Sequence, residues 1–429
     1  MNPFELKPMD INKSIKNWCE LYPKSYNICE ISPYTKTRIV LMNGTEFEAV
    51  KFSHQFSRNC NNNDLRRELA LLRNIEQQQQ KKISNLKPKK ETLLEHTITY
   101  EQLAVDLTAR LAQRDPDQNV VNALNFALLE DFDHLYRYSD LLEMEYGILP
   151  EKLVGRYTEI MPGRPTIAHH RYPFDNVKCA TNYKDADLIT KLDIAIITAA
   201  EQQTMNYYMN IGAFYSSDIG RKLYQEIGMV EEEHVTQYES LMDPNMSWLE
   251  NLLMHEYTEC YLYYSCMMDE TDPCIKKLWE CYFEFEVAHL HKSAELLKKY
   301  ENKEWQEVIC DGTFPELLKL GPNIEYVRRI LEKTVSYTSV REDYLLLEDI
   351  PDNFEFFMYQ DVVNNNVNQV PSHMVINEYI RKHGCDYRFE VDENPIKLLR
   401  DRRCDNTCVG RYPMKKCELM LKKELWLLD

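Results

Sequence analysis

The chain has 429 residues, of which 44% are hydrophobic, so it is long enough for two or three domains with substantial cores. Its 69 acidic residues outnumber its 51 Lys and Arg residues and leave a formal charge of −18 at neutral pH. This charge opposes nonspecific binding to nucleic acids and to anionic membrane surfaces, and we expect neither kind of partner.

The N-terminal residues do not have the pattern of an export signal. Residues 1–13 lack a basic stretch followed by an apolar core, and no part of the sequence is apolar over the length that a membrane span needs. The 13 cysteines are therefore expected to be reduced thiols, and the spacing of Cys404, Cys408 and Cys417 matches no standard zinc site. These features predict a cytoplasmic protein. Residues 1–44, which precede the first predicted helical unit, are assigned as an N-terminal extension.

A first helical unit is predicted over residues 45–145. Asn43-Gly44 stands between β-favouring residues, and this dipeptide is a hairpin signal that competes with a helix. We therefore expect the first helix of the unit only from about residue 45 onward, with an irregular start.

The second half of this unit carries residue types that are typical of metal ligands. The capping box Thr92-x-x-Glu95 opens a helix that contains Glu101. The next helix has Asp131 and His134 on an otherwise apolar stripe, where residues three apart share one helical face. The interval from Glu101 to Asp131 suits a helical hairpin that brings all three side chains together.

Residues 146–186 form a connecting segment that is rich in Gly and Pro, which predicts loops. It contains His169 and His170. Adjacent histidines cannot share a helical or strand face, so we expect hydrogen-bonding or solvent-facing roles for them and not joint ligation.

A second helical unit, residues 187–300, repeats the same pattern twice. Each time a glutamate is followed by Glu-x-x-His on an apolar helical stripe, at the interval that separates Glu101 from Asp131. Between Glu231 and His234, the residues Glu232 and Glu233 are expected on a solvated face of the helix. The two sets of candidate ligands are Glu201, Glu231 and His234, and Glu256, Glu286 and His289.

An offset of 155 residues relates the two units and indicates an internal duplication. It carries the capping box at Thr92 onto a second one at Ser247. The offset also places Gln79 where the second unit has His234, so the first hairpin of the first unit is expected to have lost a metal or never to have bound one. The ligand-type pairs that it relates are Glu46 and Glu201, Glu76 and Glu231, Glu101 and Glu256, Asp131 and Glu286, and His134 and His289.

The order Glu, Glu-x-x-His, Glu, Glu-x-x-His on antiparallel helices resembles the ferritin-like superfamily, in particular its rubrerythrin-like di-iron carboxylate proteins. The resemblance covers about residues 45–300. It implies a mainly α fold of duplicated, tandem ferritin-like four-helix bundles, followed by a mixed C-terminal extension. It also implies two iron ions, or iron with manganese, as the cofactor.

The same resemblance implies roles for individual residues. Glu231 and Glu286 would bridge the metals. By the same match, Glu101, Asp131 and His134 would be further metal ligands. Glu256-Tyr257-Thr258-Glu259 is similar to the third rubrerythrin helix, which makes Glu259 an additional candidate ligand. The remaining positions would be capping ligands at Glu201 and Glu256 and terminal ligands at His234 and His289.

Two pairings of the hairpins satisfy the sequence. One site would lie within the second unit, but the short stretch from Glu231 to Glu256 leaves no room for the long crossover of the family. The other site would be shared between the units, with residues 146–186 as the crossover. The hairpin of Glu201 and Glu231 belongs to both arrangements, and the sequence does not choose between them.

The implied function is that of a non-haem di-iron oxidoreductase of the peroxidase or oxidase type, acting on dioxygen or hydrogen peroxide. The alternatives are an iron-binding or storage protein without turnover, a di-iron oxygenase of an organic substrate, and a non-catalytic helical scaffold. The sequence does not name the electron donor and leaves a homo-oligomer open. Residues 301–429 are predicted to be a helical and irregular region, to which we assign no function.

Overall fold

The computed structural model describes residues 1–164, 166–351, 353–384, 386 and 388, and over these residues the chain is mainly helical, as predicted. No helix in these ranges is both long enough and apolar enough to cross a membrane. Cys404, Cys408 and Cys417 lie outside the described residues. The elements are α1 (Pro33–Asn59), α2 (Asn63–Ser84), α3 (Leu93–Arg114), α4 (Gln118–Tyr146), α5 (Pro150–Leu153), α6 (Leu188–Phe214), α7 (Asp218–Glu239), α8 (Trp248–Asp269), α9 (Pro273–Glu301), α10 (Ile324–Thr334), β1 (Tyr337–Val340), β2 (Asp343–Leu346), α11 (Glu355–Val363) and α12 (Pro371–His383).

Side-chain caps fix where the helices of the hairpins begin. Thr92 and Ser247 form the two predicted capping boxes, each with the glutamate three residues later. Asp117 and Asp272 accept backbone hydrogen bonds at the starts of α4 and α9. Because these caps keep the 155-residue offset, the candidate ligands that follow them lie at equivalent depths in their helices.

The expected start of the first helix is wrong. α1 begins at Pro33 and runs without interruption through Asn43 and Gly44, so the boundary predicted at residue 45 falls inside it. Gly44 has a packing role: a Cβ atom there would lie 3.1 Å from Cβ of Gln203 on α6. The glycine therefore permits close approach of two helices and does not form a turn.

Helical hairpins pack in two groups among the described residues. The first group contains α3, α4, α6 and α7, with α3 against α6 and α4 against α7. The second group contains α1, α2, α8 and α9, with α1 against α8 and α2 against α9. α1 also packs against α3 and α6 and so joins the groups. Each group therefore contains one hairpin from the first predicted unit and one from the second.

The connecting segment is held against α4 by its backbone. A Cβ atom on Gly163 would lie 2.5 Å from the carbonyl oxygen of Leu129 and 2.8 Å from the amide nitrogen of Asp133. The next residue, Arg164, donates its backbone N–H to the same Leu129 carbonyl at 2.9 Å. This contact positions Arg164 and the residues after it beside the first helix group.

The predicted C-terminal region is mixed, and its described part ends at residue 388. α10 packs on α4, and α12 packs on α4 and α7. β1 and β2 form an antiparallel hairpin with Val340 opposite Asp343. A small separate core includes Leu347, Phe356 and Phe357. This region therefore covers the outer side of the first helix group.

Candidate metal centres

Side chains from four helices meet inside the first helix group, and each of them is at most 1% exposed. Two helices are the predicted hairpin α3–α4, and the other two are α6–α7. The structure thus has the pairing shared between the units and not the pairing within residues 187–300. We call the group cluster A: Glu101 on α3, Asp131 and His134 on α4, Glu201 on α6, and Glu231 and His234 on α7.

Glu231 lies between the two imidazoles of cluster A. Its Oε1 is 3.0 Å from Nδ1 of His134, and its Oε2 is 3.0 Å from Nδ1 of His234. Ligand atoms within 4.8 Å of one another form two sets, namely Asp131, Glu201, Glu231 and His234, and Glu101, His134 and Glu231. Glu231 belongs to both sets and contacts one imidazole of each, so it lies where the two sets meet.

Several oxygens of cluster A lack a hydrogen-bond partner among the described residues. They are both carboxylate oxygens of Asp131 and of Glu201 and one oxygen of Glu101. A buried carboxylate without compensation costs on the order of several kcal/mol, so such groups need a cation or a proton. The residues therefore fit a metal pair.

Without a cation, the fold favours protons on part of the cluster. Burial raises the pKa of Glu201 to about 7, and burial followed by the charge of Glu201 raises the pKa of Asp131 well above its ordinary value. Burial acts in the same direction on Glu231, but the charges and hydrogen bonds of His134 and His234 outweigh it and lower its pKa to about 2. Cations entering the cluster would displace protons from its acidic groups.

Glu130 supports one imidazole from behind. Its Oε2 lies 2.7 Å from Nε2 of His234, and it also accepts a hydrogen bond from the guanidinium of Arg171 and lies 3.6 Å from that of Arg164. Burial would raise the pKa of Glu130, but Arg171 and His234 outweigh it and lower the pKa to about 2. An ionised acceptor keeps a proton on Nε2 and turns Nδ1 toward the cluster, as in carboxylate-supported metal ligands.

The connecting segment builds this support and overturns one expectation. The backbone N–H of Arg171 donates to Oε2 of Glu233 at 3.1 Å, so Glu233 is buried and its predicted solvated position is wrong, whereas Glu232 is exposed. His169 bonds to a backbone carbonyl and His170 to a glutamate. Their predicted hydrogen-bonding role is confirmed, but both are buried and not solvent-facing.

A second cluster lies inside the other helix group, and its members are at most 2% exposed. Nδ1 of His289 is 3.1 Å from Oε2 of Glu286 and 3.7 Å from Oε2 of Glu256. Two sets of ligand atoms again lie within 4.8 Å of one another, namely Glu76, Glu256 and His289, and Glu256, Glu259 and Glu286. We call the whole group cluster B: Glu46, Glu76, Gln79, Glu256, Glu259, Glu286 and His289.

Two positions make cluster B different from cluster A. Gln79 replaces the histidine, and its Nε2 donates to Oε1 of Glu46 at 2.7 Å and to Oε1 of Glu286 at 2.6 Å. Glu259 adds a carboxylate where the 155-residue offset gives Ala104 in the first unit. Cluster B is therefore richer in oxygen and poorer in imidazole.

The predicted ligands divide between the clusters. Glu201 and Glu231 lie in cluster A, while the predicted second bridge, Glu286, lies in cluster B with Glu256, Glu259 and His289. Glu46 and Glu76 also lie in cluster B and were not among the predicted ligands, although the 155-residue offset relates them to Glu201 and Glu231.

Glu130 was missed. It immediately precedes the candidate ligand Asp131, and its partner Arg171 stands in the irregular segment that follows α4 and α5. No periodicity connects two such positions, so only the folded connection could identify the pair.

Comparison with known protein families finds no family model that matches the chain, and comparisons with curated proteins and with solved structures find no significant match either. The assignment of a function depends on the chemistry of the clusters alone.

Proposed function

We propose that the protein is a non-haem di-iron oxidoreductase that reduces dioxygen or hydrogen peroxide, with two irons, or iron and manganese, in cluster A. We also propose that the two helix groups are ferritin-like bundles produced by internal duplication, each combining hairpins from both repeats. Every described cysteine is a free thiol, which supports a reducing compartment such as the cytoplasm.

The position of Glu231 supports the proposal most directly. One oxygen of this carboxylate contacts the imidazole of each ligand set, and it belongs to both sets. Together with Glu101, Asp131 and Glu201 it supplies four carboxylates, which can balance the charge of two divalent cations. The imidazoles favour iron or manganese over magnesium and calcium.

Bound iron would supply electron transfer to dioxygen or peroxide, and the chain's own groups would hold the ligands in place. The hydroxyl of Tyr208 donates to Oε1 of Glu101 at 2.5 Å, so this oxygen is fixed and Oε2 is left for a cation. Glu130 keeps Nδ1 of His234 directed at the cluster.

A surface pocket lies close to cluster A. A surface pocket of about 590 Å³ between α6 and α7 is lined by Tyr208 and Tyr224 among others. Because Tyr208 bonds directly to Glu101, this pocket ends one side chain away from the cluster. We propose that dioxygen or hydrogen peroxide approaches cluster A from this pocket.

The proposal is tested on full-length protein purified without chelator. Anomalous scattering at the iron and manganese edges should place two metals in cluster A, and the reduced protein should consume peroxide. Glu231→Ala should remove both metals and the activity, because Glu231 belongs to both sets. Glu232→Ala is the matched control. Because Glu232 is exposed, this variant should retain the two metals and the activity. Full loading of cluster A in Glu231→Ala would contradict the assignment.

The alternatives give different results in the same experiment. Iron far in excess of the bound pair would favour storage, and a protein without metal would favour the scaffold. Oxidation of an added organic compound in place of peroxide loss would favour an oxygenase.

A further inference from the structure

One of the two ligand sets of cluster A is intact in cluster B. The 155-residue offset relates each residue of this set to a residue of the same chemical type. In both clusters the ligand atoms of the set lie within 4.8 Å of one another. The set is Glu101, His134 and Glu231 in cluster A, and Glu256, His289 and Glu76 in cluster B.

The other set is changed in cluster B by Gln79. In cluster A, His234 presents Nδ1 to the carboxylates of this set. In cluster B the equivalent Gln79 presents an amide N–H₂ group, which donates to Glu46 and Glu286 at once. The amide therefore uses the carboxylate oxygens that a cation would otherwise bind. In this orientation the N–H₂ group has no lone pair for a metal, so it opposes a cation at this position.

Within the ranges that the structure describes, polar atoms of the intact set and of Glu259 lack hydrogen bonds, and the nearest imidazole nitrogens are distant: Nδ1 of His289 lies 3.7 Å from Oε2 of Glu256, and Nε2 of His255 lies 3.6 Å from Oε1 of Glu259. Both oxygens of Glu256 and Glu259, Oε2 of Glu76 and Nε2 of His289 are buried and find no hydrogen-bond partner in the described part of the chain. Glu259 lies with Glu256 and Glu286 in the second set of ligand atoms within 4.8 Å of one another. Because Glu256 belongs to both sets, Glu259 can add a carboxylate oxygen beside Glu256. These groups point to a bound ion, as buried polar atoms are otherwise paired.

We propose that cluster B binds a single divalent cation, Mn²⁺ or Fe²⁺, through Glu76, Glu256 and His289, and that Gln79 takes the place of a second cation. The oxygen-rich ligand set, with one imidazole, suits Mn²⁺ in particular. The site does not depend on the oxygen chemistry proposed for cluster A. In the same chain, cluster A would thus hold two metals and cluster B would hold one.

The test uses full-length Glu231→Ala protein, in which cluster A is disabled, stripped with chelator and titrated with Mn²⁺. One ion per chain should bind, with the electron paramagnetic resonance spectrum of an isolated, uncoupled Mn²⁺. His289→Ala in this background should abolish binding, and Glu76→Gln, which keeps the side-chain shape, should weaken it at least tenfold. His291→Ala is the matched control and should bind normally, because this neighbouring histidine contacts the backbone of Pro3.

Gln79→His should convert cluster B to a pair. Its stoichiometry should rise from one Mn²⁺ to two, with the spectrum of an exchange-coupled pair. If Glu231→Ala does not fold, as judged by circular dichroism, scattering at the manganese edge on the wild-type protein should instead show one ion in cluster B.

No ion in cluster B, or two ions there with Gln79 in place, would overturn the inference. An empty cluster A, or absent peroxide consumption, would overturn the proposed function and leave the stoichiometry of cluster B unaffected.

Discussion

Glu130 determines how the imidazole of His234 is presented without reaching the centre of cluster A. It contacts Nε2 of His234 on one side and the guanidinium of Arg171 on the other. All three side chains are buried, so the charge of Glu130 acts at low dielectric, where it is little screened. The imidazole is thereby fixed in orientation and in the nitrogen that carries its proton.

Glu130→Gln should lower the metal affinity of cluster A by about 10- to 100-fold, the usual effect of removing a carboxylate behind a histidine ligand. The amide can still accept from His234, so the orientation is kept but the negative charge is lost. Titration of chelator-stripped protein with Fe²⁺ or Mn²⁺ measures the change, and Glu232→Gln serves as control. Wild-type affinity in a folded Glu130→Gln variant would mean that Glu130 does not support the ligand.

Asp106 is expected to make stability depend on pH. Its carboxylate accepts hydrogen bonds from Tyr34, Thr158 and Asn323, yet burial raises its pKa from 3.8 to about 7. The folded state then binds the proton more tightly than the unfolded state does. The stability from this group is full below pH 3.8 and is lost as pH rises through about 7.

Asp106→Asn should remove this dependence, because the amide does not titrate. Urea unfolding of metal-free protein at about pH 5 and about pH 8 should show wild type losing stability relative to the variant at the higher pH. An equal difference between the two proteins at both pH values would show that Asp106 does not titrate in this window.

Among the elements, those that depend on local chemistry were predictable and those that depend on distant contacts were not. The capping boxes at Thr92 and Ser247 are local signals, and they located the starts of α3 and α8. The i, i+3 pairs are also local, and they located the candidate ligands on α4, α7 and α9. Gly44 has the opposite character, since its hairpin signal with Asn43 is overridden by packing against Gln203 on α6.

The pairing of the hairpins also required the fold. The short interval from Glu231 to Glu256 disfavours one arrangement, but it does not select the partner of α6–α7. That choice depends on the path of residues 146–186, whose irregular backbone has no periodic signal. Likewise, the role of Gln79 depends on two carboxylates, Glu46 and Glu286, that are distant from it in sequence.

Gly163→Ala should destabilise the protein by about 1–3 kcal/mol, the range for forcing extra atoms into a packed site. The added Cβ would lie 2.5 Å from the Leu129 carbonyl oxygen and 2.8 Å from the Asp133 amide nitrogen, and the backbone of α4 cannot yield as a side chain can. Urea unfolding measures the effect. Gly321→Ala is the matched control and should be close to neutral, since its Cβ would meet nothing within 4 Å.

At the scale of the whole molecule, each cluster combines ligands from both halves of the sequence. Glu101 and Glu201 meet in cluster A, and Glu46 and Glu256 meet in cluster B, while α1 packs against helices of both groups. Neither predicted unit can complete a cluster alone. A cation in either cluster should therefore stabilise contacts that extend through the shared helices.

Removal of metal should consequently lower the unfolding temperature of the molecule as a single cooperative transition. An ion that binds only the folded state contributes about 2.7 kcal/mol when its free concentration is a hundred times its Kd. Calorimetry of chelator-treated and Mn²⁺-loaded protein measures the shift. Glu231→Ala should reduce the shift because cluster A no longer contributes, and Glu232→Ala should leave it unchanged. Two separate transitions, of which only one responds to metal, would show that the helix groups unfold independently and that α1 does not couple them.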